Sequence, residues 1–361
     1  MSWRQAQLGD VIRLKRGHDL PTADRVSGDI PIISSSGITG YHNVAKAAGP
    51  GVVTGRYGTL GDVHYIDGDY WPLNTALYVE DFKNNHPRFI SYLLVTLDLG
   101  SQNAAGAVPG VNRNTLHQMS VYVPDVDTQQ RIADVLSTYD DLIDTNQRRI
   151  RLLEDAARLL YREWFVNLRF PGHEGVEVTN GLPVGWLQTT LGQVAPLNYG
   201  KSLKATERKP GTVPVYGSSG IVGMHDKVLV DKGAIVVGRK GNVGSLYFSA
   251  TPCFPIDTVF FIAPERASYF LFLALNQFHF VSSDAAVPGL NRSYAYSLPI
   301  VMPDESTRAA FELVVGPVFE QQQNLIAANS VLAEARDRLL PKLMSGQLDV
   351  SGIPLPAEIG T

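Results

Sequence analysis

Two short stretches of the chain combine an arginine with regularly spaced glycines. Residues 55–61 read GRYGTLG, and residues 238–244 read GRKGNVG. Glycine lets a backbone approach a partner closely and can aim N–H groups at an anion. The guanidinium of Arg56 or Arg239 could then reach a phosphate or pair with the edge of guanine. Because β-hairpin turns also favour glycine, the pattern alone leaves both interpretations open.

These loops belong to a repeat that covers nearly the whole chain. SWRQAQLGDVI from Ser2 matches GWLQTTLGQVA from Gly185, and the same offset aligns the two glycine loops. After one short deletion, AVPGVNR from Ala107 matches AVPGLNR from Ala286. Self-similarity on this scale predicts two homologous halves.

Each half shows the same order of expected elements. Short β-type runs come first: GVVTG, DVHYI and ALYVE, then GAIVVG, GSLYF and TVFFIA. One long helix follows in each half. The sequence therefore predicts an α+β protein with two homologous mixed α/β domains separated by a pair of long helices. The predicted boundaries are 1–125 for the first mixed domain, 126–170 for a central spacer helix, 171–305 for the second mixed domain, 306–350 for a distal spacer helix and 351–361 for a tail.

The two predicted helices carry a heptad pattern, which favours a coiled coil. The predicted pairing residues are Ile132, Leu136, Ile143, Asn146, Ile150 and Leu153 in the central helix and Leu325, Asn329, Leu332 and Leu339 in the distal one. Asn146 and Asn329 lie at matched positions, where buried polar residues fix register. We therefore expect antiparallel pairing about a pseudo-twofold axis, with the mixed domains at the two ends of a spacer about 48 Å long. Gly316, Pro317 and Pro341 are expected to interrupt the distal helix.

Two similar mixed domains held at a fixed distance could bind duplex DNA, whose helical turn is about 34 Å. The predicted DNA contacts are Ser35, Ser36, Arg56, Tyr57, Thr59, Asn112 and Arg113 in the first half and Lys201, Lys204, Ser218, Ser219, Arg239, Lys240, Asn242, Asn291 and Arg292 in the second. The serines are also ordinary turn residues, and the asparagines could instead cap the next helices. Residues 201–240 hold eight Lys or Arg against three acids, whereas residues 18–57 hold three of each. DNA binding by the second half should therefore depend more strongly on salt.

The motifs of DNA-modifying enzymes are missing from the sequence. Pro-Asp at 124–125 and 303–304 is not followed by the acid-x-lysine triplet of the common metal-dependent nucleases, and ERK at 207–209 has no counterpart in the first half. Neither the motif of adenine methyltransferases nor a phosphate-binding loop is found. His42 and His225 recur at matched positions, but single histidines on polar loops are usually not metal ligands. We predict no catalytic residue, metal site or cofactor in this chain.

Composition limits the class of protein further. The chain has 361 residues, a formal charge of −4 and one cysteine, so intramolecular disulfides are excluded. Its apolar runs are shorter than the roughly 20 residues of a membrane helix, and its start lacks the pattern of a secretory signal. We expect a cytoplasmic protein without a membrane partner.

Several repeated motifs, taken in order, resemble those of one known family. They are LGDVI and LGQVA after a tryptophan, the GRxGxxG loops, PLNT and PIDT, the VPGxNR stretches, LYREWFVNLRFPG after the central helix and LLPKLMSGQLDV after the distal one. Over almost its whole length the chain resembles the specificity subunit of type I restriction-modification systems.

The resemblance implies a DNA-recognition role without catalysis. Each mixed domain would be a target-recognition domain for one half of a bipartite, asymmetric sequence in double-stranded DNA, and the paired helices would fix the gap. The chain would bind two DNA adenine methyltransferase subunits, which restriction/translocase subunits join. S-adenosylmethionine, ATP and Mg²⁺ would belong to those partners. The alternatives are a recognition subunit of a methylation-only or partly fused system, and a two-headed protein adaptor.

Overall fold

The packing of the chain defines two units. The computed structural model describes residues 3–97, 99–101, 110–282 and 289–353. The first unit comprises Met1–Asn146 with Ala327–Thr361, and the second comprises Gln147–Ile326. Both division points lie inside long helices. The helices therefore contribute to the cores of both units.

An antiparallel sheet of four strands forms the centre of the first unit. Its strands, in spatial order, are Arg13–Arg16, Ala76–Asp81, Gly51–Gly55 and Val63–Ile66. The inner strand Gly51–Gly55 is buried along its whole length, as its apolar sequence requires. A second sheet contains Gly37–His42, Ile30–Ser34 and Trp71–Pro72, and a third pairs Arg4–Gln7 with Ser120–Val123.

Short helices cover this sheet system in the first unit. The α-helices are Leu8–Val11, Pro87–Thr96 and Arg113–His117, and 3-10 turns span Thr22–Asp24 and Leu99–Ser101. Phe89 and Ile90 of the longest of these helices are completely buried in the core. Its proline at the first turn costs no hydrogen bond, because that N–H has no partner within a helix.

The second unit repeats this topology. Its four-stranded sheet contains Asn198–Tyr199, Val259–Ile262, Ala234–Gly238 and Leu246–Ser249. The other sheets are Gly220–His225, Val213–Gly217 and Phe254–Pro255; Leu187–Thr190 with Pro299–Met302; and the hairpin Val178–Thr179 with Leu182–Pro183. Its helices are Leu191–Val194, Tyr269–Leu275 and Arg292–Ser297, with 3-10 turns at His173–Gly175 and Ala205–Glu207. The identical strand orders confirm the predicted α+β class and internal repeat.

The two long helices begin at matched aspartates. The central helix spans Val126–Tyr161 and continues as a π-helical turn, Arg162–Val166. The distal helix spans Glu305–Met344. Asp125 Oδ1 accepts a hydrogen bond of 2.9 Å from the Thr128 amide, and Asp304 Oδ1 accepts one of 2.9 Å from the Thr307 amide. The aspartates of the two Pro-Asp pairs are therefore helix N-caps.

Replacing the second of these caps should weaken the second unit in a pH-dependent way. Burial opposes ionisation of Asp304, but hydrogen bonds from Ser306, Thr307 and Trp186 outweigh it and lower its pKa from 3.8 to about 2. A lowered folded-state pKa means that the stabilisation is complete above the unfolded pKa and is lost as the pH falls from about 4 towards 2. Asp304→Ala should cost about 1 kcal/mol at neutral pH, whereas Asp304→Asn should keep most of the cap. Urea unfolding at pH 7 and pH 3 measures both, and equal stability of all three proteins would contradict the capping role.

The distal helix is not interrupted at its prolines. It is continuous through Gly316, Pro317 and Pro341, contrary to the expectation of a break. Buried side chains flank these positions: Phe311, Val315 and Phe319 in the second unit, and Leu343 and Met344 in the first. Their packing compensates for the hydrogen bond that each proline removes.

Antiparallel pairing of the long helices is present within each unit. In the first, Asn146 Nδ2 donates to Asn329 Oδ1 at 2.9 Å, and Arg336 forms an ion pair of 2.7 Å with Asp140. In the second, Gln322 donates to Glu154 at 2.8 Å. Asn146 and Asn329, two of the predicted pairing residues, thus contact each other.

The predicted pairing residues differ in how deeply they are buried. Ile132 and Leu136 are completely buried in the core of the first unit, where Leu339 also packs, and Leu325 is buried in the second unit. Ile143, Ile150, Leu153, Leu332 and Asn329 are half-buried. The side chains near the ends of the helices belong to the cores of the units, whereas those near the middle are less deeply buried between the two helices.

Breaking the asparagine pair on one side should destabilise the first unit. Asn146 is almost fully buried, and Asn146→Leu would remove the donor to Asn329 Oδ1, whereas Asn329 Nδ2 could still donate to the Ile143 carbonyl oxygen. We expect a loss of about 1–2 kcal/mol in the free energy of unfolding. The double variant Asn146→Leu/Asn329→Leu should recover most of it, because two apolar groups then face each other. A double-mutant cycle by chemical denaturation measures the coupling, and purely additive losses would show that the pair does not act as a unit.

Candidate nucleic-acid interface

Backbone hydrogen bonds join three repeated motifs into one surface in the first unit. The amides of Arg56 and Tyr57 donate to the carbonyl oxygen of Thr75 at 2.9 and 3.0 Å. The Arg56 carbonyl oxygen in turn accepts from the Val111 amide at 3.0 Å. The glycine loop is thereby fixed between PLNT and PGVNR, which are distant from it in sequence.

The second unit contains the same hydrogen bonds. The amides of Arg239 and Lys240 donate to Thr258 at 2.9 and 3.0 Å, and Leu290 donates to the Arg239 carbonyl at 2.8 Å. Each unit therefore places one arginine side chain on a matched, rigid backbone.

The glycines of these loops are required by the turns themselves. A Cβ atom on Gly55 would lie 1.8 Å from the Thr59 carbonyl oxygen, and one on Gly238 would lie 2.1 Å from that of Asn242. Gly58 adopts a φ of +81°, which disfavours other residues. The hairpin-turn interpretation thus accounts for the glycines. The first two amides of each loop donate to the threonine carbonyl oxygen and are not available to an anion.

In the second unit, two arginines stack on one tyrosine. The guanidinium carbons of Arg239 and Arg292 lie 5.1 and 5.0 Å from the centroid of the Tyr199 ring. Arg239 also lies 5.7 Å from the Phe260 ring. These side chains and Lys240 line a cavity of about 500 Å³. The structure brings together three of the five cationic residues predicted in the second half, Arg239, Lys240 and Arg292.

The first unit surrounds its matched arginine differently. The Arg56 guanidinium lies 4.3 Å from the centroid of the Tyr57 ring, and its Nη2 donates to the Tyr57 hydroxyl at 3.1 Å. Arg16 occupies the position equivalent to Tyr199 and forms an ion pair of 3.8 Å with Asp19. Arg113 is exposed. The scaffold is shared, but the side chains presented on it are not.

The predicted serines divide into two kinds. Ser35 and Ser218 are buried under the glycine loops, and a Cβ atom added at Gly58 or Gly241 would lie 3.3 or 3.2 Å from the Ser35 or Ser218 hydroxyl oxygen. Ser36 and Ser219 are exposed. The buried pair packs against the loops, and its contact with phosphate stays a prediction.

Two of the predicted asparagines, Asn112 and Asn291, cap short helices. Asn112 Oδ1 accepts from the Asn114 amide at 2.9 Å, and Asn291 Oδ1 accepts from the Tyr294 amide at 3.1 Å. Of the two alternatives, the structure shows the cap. A base contact through the remaining amide group stays a prediction.

The remaining predicted residues lie on exposed turns. Thr59 and Asn242 are exposed at the tips of the glycine loops. Lys201 is exposed, and Lys204 forms an ion pair of 4.0 Å with Glu207. Their contact with DNA stays a prediction.

The matched histidines have a structural role. His42 Nδ1 accepts from the Val26 amide at 3.0 Å, and His225 Nδ1 accepts from the Lys209 amide at 3.1 Å. Both rings are buried and pack edge-on against aromatic rings. Within the described part of the chain, no cluster of three potential metal ligands is found. No helix there is long and apolar enough for a membrane span.

Sequence reasoning missed Tyr199 and Arg16. Both immediately precede a matched glycine, Gly17 or Gly200, whose backbone lies against the PLNT or PIDT stretch. The sequence did contain one signal for them: the residue before the matched glycine differs between the two halves, Arg16 against Tyr199. It carries no information on the side-chain contacts, because Arg239 and Arg292 are distant in sequence.

These observations define a class of internally duplicated α+β proteins that carry a matched arginine loop in each unit. The family described as "Type I restriction modification DNA specificity domain" matches residues 2–155 and 183–310. The chain belongs to this family, which confirms the resemblance drawn from its motifs.

Individual relatives are distant but extend over most of the chain. The type I restriction enzyme MjaIX specificity subunit of Methanocaldococcus jannaschii is 23% identical over 381 residues, covering 90% of this chain and 88% of that protein. The HindI specificity subunit of Haemophilus influenzae is 21% identical over 355 residues, covering 73% and 77%. The crystal structure of the S subunit from M. genitalium aligns with a TM-score of 0.65 at 17% identity over 95% of this chain and 96% of that one, a similarity of fold.

Proposed function

We propose that this chain recognises a bipartite, asymmetric sequence in double-stranded DNA, one part with each unit. The observation that carries the proposal is the matched pair of arginine loops. Arg56 and Arg239 make equivalent backbone hydrogen bonds in the two units. The Arg56 guanidinium, however, lies over the Tyr57 ring, and the Arg239 guanidinium lies over the Tyr199 ring. A common scaffold with different side chains suits two readers of different base sequences.

The chain acts in this proposal as a non-catalytic subunit. Two DNA adenine methyltransferase subunits bind it, and restriction/translocase subunits join them; S-adenosylmethionine, ATP and Mg²⁺ belong to those partners. The paired long helices fix the gap between the two parts of the sequence. The family membership over both halves and the pairing between the helices support this assignment.

Exchange of one mixed domain tests the two-reader proposal. Replacing residues 1–125 by the matching segment of a relative should change one part of the methylated sequence and leave the other part and the gap unaltered. Genome-wide mapping of methylated adenines, with and without the gene, shows the sequence of each part and the length of the gap. The exchanged segment must still pack against Ile132, Leu136 and Leu343, so thermal unfolding serves as the folding control. A change in both parts would contradict the proposal, and a methylation pattern independent of the gene would remove it.

A further inference from the structure

The cavity beside Tyr199 gathers positive charge without a visible counter-charge. Arg239, Lys240 and Arg292 line it, and its described lining residues include no aspartate or glutamate. Both guanidiniums lie about 5 Å from the same ring centroid. Stacking on an aromatic face leaves the planar edge of a guanidinium free to donate hydrogen bonds.

The chemistry of this arrangement favours an anion over a neutral base. Three like charges around one cavity repel each other, and a guanine edge is uncharged, so it would leave that repulsion in place. The oxygens of a phosphate group accept hydrogen bonds from several cationic donors at once and offset the charge. We infer that this cavity binds a phosphate group, and that Tyr199 is a positioning residue that holds both guanidiniums towards it. If the bound phosphate belongs to DNA, the inference rests on the proposed function.

The first unit lacks this arrangement. Arg16 stands at the position of Tyr199, and Tyr57 stands at the position of Lys240. The Arg16 charge is partly offset by Asp19. The phosphate site is therefore a property of the second unit, in line with the excess of basic residues in its sequence.

Inorganic phosphate tests the anion chemistry without DNA. Calorimetric titration of the full chain at constant ionic strength should show saturable binding of phosphate. Arg292→Ala should abolish this binding. Arg13→Ala, which removes an exposed arginine of the first unit that is not among the predicted DNA contacts, should leave it unchanged. Absence of saturable binding to the wild-type chain, together with an unchanged salt dependence of DNA binding in Arg292→Ala, would overturn the inference.

Salt dependence tests whether the phosphate is that of DNA. Affinity of the chain for its methylated sequence and for an unrelated duplex is measured over a series of salt concentrations. Arg292→Ala should weaken both complexes by the same factor and reduce the slope of log K against log salt by about 0.9, the value for one phosphate contact. Tyr199→Ala should weaken both by about 2- to 30-fold, and Tyr199→Phe should restore binding because its ring still stacks.

The remaining outcomes separate this inference from the proposed function. A loss confined to the recognised sequence, with an unchanged slope, would show a base contact and overturn the phosphate site. Binding of inorganic phosphate with unaltered DNA affinity would assign the site to a free phosphate and overturn DNA as the source. In either case the methylated sequence in cells still reports whether the chain recognises DNA.

Discussion

Phe311→Ala is expected to destabilise the second unit by about 3–5 kcal/mol, the range for removal of a fully buried phenylalanine. Phe311 lies on the distal helix and is completely buried. Its ring centroid lies 4.8 Å from that of Phe165 and 5.4 Å from that of Trp164, both at the end of the central helix. Truncation would leave a cavity at the point where both long helices enter the core of the unit.

Leu313→Ala is the matched control for this substitution. Leu313 lies two residues further along the same helix and is 79% exposed, so its replacement should change stability by less than about 0.5 kcal/mol. Thermal and urea unfolding, followed by the fluorescence of the buried tryptophans Trp164 and Trp186, measure both variants. Similar small losses for the two would show that the distal helix is not part of this core.

Arg56→Ala and Arg239→Ala should each weaken DNA binding: a lost base contact costs about 1–3 kcal/mol, or about 5- to 150-fold in affinity, and a lost hydrogen bond to a phosphate costs about 1.5–3 kcal/mol. Each guanidinium is held in place by an aromatic ring, so little conformational freedom is lost when it binds. Because the backbone of both loops is fixed by main-chain hydrogen bonds, removal of the side chain should leave the fold intact.

Arg13→Ala is the control for these two variants. Arg13 is an exposed arginine of the first unit that pairs with Glu80 at 2.9 Å, and its loss removes the same charge elsewhere. Electrophoretic mobility shifts at fixed salt compare the three variants with the wild type. Wild-type affinity in both loop variants would exclude the loops from the interface, and an equal loss in Arg13→Ala would show a general effect of charge.

The sequence by itself determined the features that depend on local pattern. The six apolar runs became strands because alternation and apolar composition favour extended chain wherever it lies in the fold. The duplication, the order of elements and the Asn146–Asn329 pair followed from offsets and heptad spacing, which are properties of the linear chain. The helix caps Asp125 and Asp304 were equally local, since their partners lie three residues away.

Only the tertiary structure decided how the side chains of the loops are used. Tyr199 meets Arg239 and Arg292 because strand pairing and main-chain hydrogen bonds bring distant segments together, and no spacing in the sequence encodes that contact. Burial of Ser35 and Ser218 likewise depends on the loop folded above them. The distal helix runs through Pro317 and Pro341 because packing on both units outweighs the local preference for a break. At such positions the free energy gained from tertiary packing exceeds the local preference for a helix break. That packing free energy depends on contacts that exist only in the folded chain.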